Sequence, residues 1–251
     1  MRARLAVPAA VLAMTALAAL AGCAGAPSAA TEPAPAGDGA GRRDAVAQGG
    51  HAADIPGLGP ATKGGLPADA SQAVVVTGEG PDSSTSTVAL YARDPARGWH
   101  RAGPAGSDWP AHNALRGWTD RHTAGDLRSP VGVFGLTDAG GLLDDPGSRL
   151  PYERASAFTI GGTGSLGEPL AGSFDYVVAI NYNRRAGTSP LDRTRPLGEG
   201  RGGGIWFHVD HGGPTQGCVS LAEPQMAELL RWLDPDRHPV VVMGDAASLL
   251  R

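Results

Sequence analysis

Short β-branched and aromatic runs recur along the chain from about Gln72. They are Ala73–Val76, Thr87–Tyr91, Val131–Phe134, Phe174–Ile180, Ile205–Val209 and Pro239–Met243. Gly, Pro, Asp and Ser bound them, which predicts strands. In Ile205–Val209, alternation puts Ile205, Phe207 and Val209 on one face and Trp206 and His208 on the other. One stretch has helical periodicity: Met226, Leu229, Leu230 and Leu233 fall at i, i+3, i+4 and i+7. Pro224 suits its first turn, Glu223 or Ser220 is a candidate cap, and Asp234-Pro235 ends it. Many short strands with one good helix predict a mostly β chain with a sandwich or barrel-like core, not alternating βαβ units.

Before Gln72 the pattern is different. Residues 1–22 read as a signal segment: Arg2 and Arg4 precede the apolar run Leu5–Leu20, which ends in Leu20-Ala21-Gly22-Cys23. That ending resembles a bacterial lipobox, so Cys23 is the expected lipidation site, and an ordinary secretory signal is the alternative. Residues 23–71 carry Ala, Pro and Gly without sustained periodicity and predict a disordered tether. As a flexible coil it would span roughly 38 Å. The expected organisation is therefore a signal at 1–22, a lipid-anchored tether at 23–71 and a folded domain at 72–251. The expected location is extracytoplasmic, on the outer face of the cell membrane.

Composition changes this picture little. The chain has 251 residues with Gly 38, Pro 21 and a net charge of −4, so no basic field for nucleic acid is present. Two cysteines exclude a disulfide-stapled scaffold. If Cys23 carries lipid, Cys218 has no disulfide partner, and a lone thiol in an oxidising compartment calls for a reason.

That reason lies in Ile205–Leu221, where a strand delivers His208, a Gly/Pro-rich turn follows, and Gly217-Cys218 starts the return run. If the two runs are hairpin neighbours, imidazole and thiol meet. An isolated thiol has a pKa of about 8.5, and an adjacent imidazole can take its proton. Gly217 would let the backbone turn tightly and present the Gly217 and Cys218 N–H groups to an oxyanion. A buried structural cysteine is the bland alternative. A metal site from His208, Asp210 and His211 requires the strand to end there, because residue 211 otherwise points away from 208 and 210. No further ligand cluster completes it, and no metal or cofactor is expected.

Thr215-Gln216-Gly217-Cys218-Val219-Ser220-Leu221, preceded by Ile205-Trp206-Phe207-His208, resembles the signature of the L,D-transpeptidase catalytic domain family (YkuD type). Ser129-Pro130-Val131-Gly132-Val133-Phe134 is similar to the family's Thr/Ser-Pro-x-Gly-x-Phe strand, and Leu150-Pro151-Tyr152 and Tyr176–Asn183 to runs seen in actinobacterial members. The resemblance covers roughly Trp109 to Gly244, weakly from Gln72. It implies a β-sandwich-like catalytic fold with one amphipathic helix after the catalytic cysteine. It also implies that Cys218 is the nucleophile, His208 the general base and acid, and Gly217 a backbone oxyanion donor. The implied reaction runs through a thioester to a 3→3 cross-link between peptidoglycan stem peptides, by a monomer that meets the membrane only through its lipid. Three positions depart from the family pattern: Gln216 replaces a histidine, the His-to-Cys spacer is shorter, and Ser220 replaces an Arg or Asn. Thr215, Gln216 and His211 are then possible supporting residues, and His211 competes with His208 as base.

Four further functions compete. A papain-like wall hydrolase would need His238 after the cysteine, and a sortase would need an arginine where Arg231 falls inside the predicted helix. A non-catalytic wall-binding lipoprotein would not need Cys218. An L,D-carboxypeptidase shares the thioester and differs only in using water as the acceptor.

Overall fold

The computed structural model describes residues 53–103 and 108–251, which fall within one compact unit running from Gly49 to Arg251. The signal segment, Cys23 and the first part of the expected tether lie outside the described residues.

Among the described residues there are twelve strands: β1 (Gln72–Gly78), β2 (Thr85–Asp94), β3 (Gly98–Ala102), β4 (Trp109–His112), β5 (Trp118–Thr119), β6 (Ser129–Pro130), β7 (Gly132–Gly141), β8 (Tyr152–Arg154), β9 (Val177–Ile180), β10 (Trp206–Val209), β11 (Val219–Leu221) and β12 (Val240–Asp245). The helices are α1 (Pro60–Gly64), α2 (Glu223–Trp232) and α3 (Ala246–Leu249). Ten strands form one sheet, in the order β1-β12-β7-β9-β10-β11-β4-β2-β3, with β8 attached to β7. Strand β2 also pairs with β1, which closes eight of the strands into a ring. It manages three partners by dividing one edge: Thr85–Val88 meets β4 and Leu90–Asp94 meets β3, while the other edge takes β1. A small separate sheet joins β5 and β6. The predicted mostly β, sandwich- or barrel-like class holds.

The interior is filled by alternate residues of the ring. Val74 and Val76 of β1, Phe207 of β10 and Val241 of β12 all enter it, and α2 adds Met226, Leu229 and Leu230. Ala73 and Val75 point the other way, into a second cluster with Val240, Val242 and Leu249. Both faces of β1 are therefore buried, and this explains why Ala73–Val76 is an unbroken apolar run. Helix α2 has Pro224 in its first turn as predicted, but Ala222 is its N-cap and no side chain caps it.

The folded unit begins before Gln72. Ile55, Leu58 and Ala70 are buried in the second cluster, and Gly59 and Ala61 donate backbone hydrogen bonds to the C-terminal residues Leu249 and Arg251. Residues 53–71 thus belong to the domain, not to the expected tether. Few residues do this work, and they sit among Gly and Pro, so the segment shows no period. Strand β7 also runs well past Phe134, where the apolar pattern stops. Its later residues carry Gly140 and Gly141, at which a Cβ would lie 2.5 Å from the Glu153 carbonyl oxygen and 2.1 Å from that of Asp175. Close backbone approach selects glycine here and hides the strand from a hydrophobicity reading.

Ile55→Ala and Leu58→Ala should each lower unfolding free energy by about 2–5 kcal/mol in urea titration, the cost of a cavity at a collapsed site. Were residues 53–71 a solvated tether, both changes would fall within about 0.5 kcal/mol of wild type.

Candidate active site

Strand β10 presents its two faces as the alternation predicts. Ile205, Phe207 and Val209 enter the interior, while Trp206 and His208 pack against the Phe174 ring with centroids 5.1 and 5.5 Å away. The strand ends at Val209. Asp210 then turns aside, its carboxylate accepting from Ser220 Oγ (2.6 Å) and Gly212 N–H (3.1 Å), with His112 Nδ1 at 2.8 Å. Those contacts commit Asp210 to the sheet edge, so the His208, Asp210, His211 triplet does not converge as a metal site would require.

The return run is a correction to the expected hairpin. Strands β10 and β11 are parallel, with Phe207 opposite Val219 and His208 opposite Ser220. The connecting loop is drawn instead to the segment after β4, where Thr215 N–H donates to Asn113 O (3.0 Å) and Leu115 N–H to Thr215 O (2.9 Å). It then re-enters beside Trp206. The Cys218 main-chain carbonyl is held there by two hydroxyl donors, Thr215 Oγ1 at 2.7 Å and Ser129 Oγ at 3.3 Å.

Thr215 Oγ1 also accepts the Gly217 N–H at 3.2 Å. This engagement takes Gly217 out of the expected oxyanion role. The backbone donor left free beside the sulfur is the Cys218 N–H, which has no acceptor among the described residues. Gly217 is not in a left-handed turn, and a Cβ there would lie 2.9 Å from Ile205 Cδ1, the mobile end of a side chain, so glycine eases the packing at this position. Gln216 is exposed at the rim.

Cys218, His208 and His211 line one cavity of about 230 Å³, together with the apolar side chains of Ile160, Leu170 and Phe174. At rest Sγ accepts from Trp206 N–H at 3.4 Å and donates to Gly204 O at 3.6 Å. Burial pushes the thiol up to about 11, with the Trp206 N–H pulling weakly the other way. His208 is 3% exposed, and burial holds its imidazole down at about 4, with the neighbouring His211 adding to that effect. Its Nδ1 lies 2.8 Å from Val209 O. A carbonyl only accepts, so Nδ1 carries the proton and the Nε2 lone pair is the base. Thiol and imidazole are therefore both neutral before substrate arrives.

Because β10 stops at Val209, His211 returns to the cavity side. Its ring stacks on that of His208 at 5.7 Å and 8°, and its Nδ1 lies 3.3 Å from Glu168 Oε1. The glycine loop that follows does not leave it loose, since its side chain is only 5% exposed. Sequence reasoning missed Glu168, Ser129 and Phe174 as parts of the site. Ser129 stands in one of the family-like runs, whereas nothing near Glu168 signals its part. The rival histidine and arginine do not reach the cavity: His238 is 59% exposed facing Asp69, and Arg231 lies on α2 against Pro146 O.

No curated protein and no solved structure matches the chain. The family model of the L,D-transpeptidase catalytic domain (YkuD) matches residues 69–242, a span that holds seven of the eight ring strands whole, the first half of β12, and the Cys218–His208 cavity. The chain therefore belongs to the L,D-transpeptidase catalytic domain family.

Proposed function

We propose that the protein is a peptidoglycan L,D-transpeptidase that forms 3→3 cross-links through a thioester on Cys218. The supporting observation is the shared cavity of Cys218 and His208, with the His208 tautomer fixed so that Nε2 is the basic atom. A neutral thiol and a neutral imidazole in an apolar cavity do not separate charge unaided. As Sγ attacks the carbonyl before the terminal D-Ala, the thiol proton passes to Nε2 and the negative charge moves to the carbonyl oxygen, where the Cys218 N–H can receive it. The C–N bond then breaks, the proton goes to the leaving D-Ala amine, and the thioester remains. An amine of a neighbouring stem attacks that thioester, sulfur leaves and regains a proton, and the cross-link is made.

Incubation of the protein with a disaccharide-tetrapeptide, followed by mass spectrometry, should show D-Ala release and a 3→3 dimer, both absent in Cys218→Ser. Tripeptide without dimer would assign a carboxypeptidase, and turnover in Cys218→Ser would refute the nucleophile.

We also infer that the chain is held at the outer face of the membrane by lipid on Cys23, on the strength of Leu20-Ala21-Gly22-Cys23. Cys23→Ala should release the protein from the membrane fraction or leave it uncleaved. Unchanged fractionation and mass would contradict the anchor.

A further inference from the structure

Glu168 stands on a small hairpin that folds over the cavity. Its main chain pairs across the tip through Gly164 N–H to Glu168 O (2.7 Å) and Leu170 N–H to Gly162 O (3.1 Å), and Thr163 bridges Pro169. One carboxylate oxygen, Oε2, accepts the Leu166 N–H at 2.7 Å. The other, Oε1, is buried with no hydrogen bond, and the nearby His211 Nδ1 is also buried and unbonded. The two atoms lie 3.3 Å apart but out of line for a hydrogen bond. A Cβ at Gly164 or Gly213 would lie 2.1 or 2.2 Å from Oε1, so a side chain at either position would push the carboxylate aside. Its own backbone N–H first, then the Leu166 N–H and His211, hold this carboxylate below its ordinary pKa, so it stays ionised beside the histidine. Asp210, the acid next to β10, is by contrast saturated by its three partners.

We propose that Glu168 and His211 form the acceptor side of the site, where Glu168, standing behind His211, supplies the negative charge that draws in a primary ammonium, and His211, on the cavity wall, takes one of its protons. The proposal rests on the transpeptidase reading. Proton counting gives the reason for two bases. In the first half-reaction one proton leaves the thiol and reaches the departing amine, so His208 suffices. In the second, an ammonium becomes an amide nitrogen and must lose two protons. One returns to the Cys218 sulfur as it leaves, by way of His208. The other needs a second acceptor, and His211, stacked on His208 at 5.7 Å with a carboxylate at its Nδ1, is placed to be it. Oε1, 3.3 Å from His211 Nδ1, supplies the negative charge that favours an ammonium over a neutral molecule in the cavity. Water as acceptor brings no cation to recognise.

The test separates the two half-reactions in the full-length protein. A tetrapeptide stem serves as donor, with glycinamide, which enters as an ammonium, or hydroxylamine, which enters uncharged, as acceptor at neutral pH. In wild type, glycinamide competes with water for the thioester. Glu168→Gln keeps an oxygen for the Leu166 N–H and should lower the glycinamide-to-water product ratio at least tenfold. Its hydroxylamine ratio and its D-Ala release without amine should each fall by far less than the glycinamide ratio does. His211→Gln should lower the glycinamide ratio far more than the hydroxylamine ratio, because the uncharged nucleophile sheds only the one proton that His208 returns to sulfur. Gly213→Ala, which displaces the carboxylate by steric overlap, should repeat the Glu168→Gln pattern. An unchanged glycinamide ratio in Glu168→Gln overturns the proposal. So does an equal fall in D-Ala release and adduct, which would make the pair a prop for His208. If wild type releases no D-Ala, the transpeptidase reading itself fails and the acceptor assignment falls with it.

Discussion

The parallel pairing of β10 and β11 is the constraint on which the site depends. A hairpin would run the chain back along His208 and set the cysteine by its distance from the turn. The parallel arrangement starts β11 again beside Trp206, and places Cys218 at the head of one strand with His208 two positions along the other. Parallel neighbours usually need a longer crossover. Here the connection stays short because Thr215 ties it to Asn113 and Leu115, and because Asp210 N–H closes onto Leu221 O at 2.7 Å. The same threonine clamps the Cys218 carbonyl and removes the Gly217 N–H from the cavity. One side chain thus fixes the loop path, the orientation of the cysteine, and the backbone donor that remains free.

This frame buries the reacting groups, and that burial determines the chemistry. Burial raises the thiol to about 11 and lowers the imidazole to about 4. Both shifts oppose a resting thiolate–imidazolium pair, since each penalises the charged form. The thiol proton faces Gly204 O at rest, not His208. Proton transfer therefore belongs to the attack on substrate, when charge has an oxygen and a backbone N–H to move to. A cysteine of this kind is protected from casual oxidation and alkylation, which act on the thiolate.

The chain made much of this legible, for identifiable reasons. Strand β10 alternates cleanly because one of its faces fills the core and the other the site, so the orientation of His208 could be read directly. Ala73–Val76 was visible as a strand because both its faces are apolar. Residues 53–71 were not visible as part of the fold, since Ile55 and Leu58 stand alone among Gly and Pro and act only through partners distant in sequence. The far half of β7 was hidden by glycines that permit close packing. The direction of β11 was hidden for a similar reason: a glycine-rich loop is compatible with a hairpin, and only the long-range anchoring of Thr215 excludes one. Glu168 was invisible because a carboxylate in a Gly-rich loop reads as solvated until the fold brings Gly213 and His211 against it.

The central claim is that Cys218 and His208 are both neutral until substrate binds. It is tested most directly by the rate of Cys218 alkylation by iodoacetamide as a function of pH, followed by mass spectrometry of the Cys218 peptide in wild type and His208→Ala. The structure predicts slow alkylation at neutral pH and a rise with an inflection near 11, nearly the same in both proteins. An inflection near or below neutrality that disappears in His208→Ala would show a preformed ion pair and contradict the account.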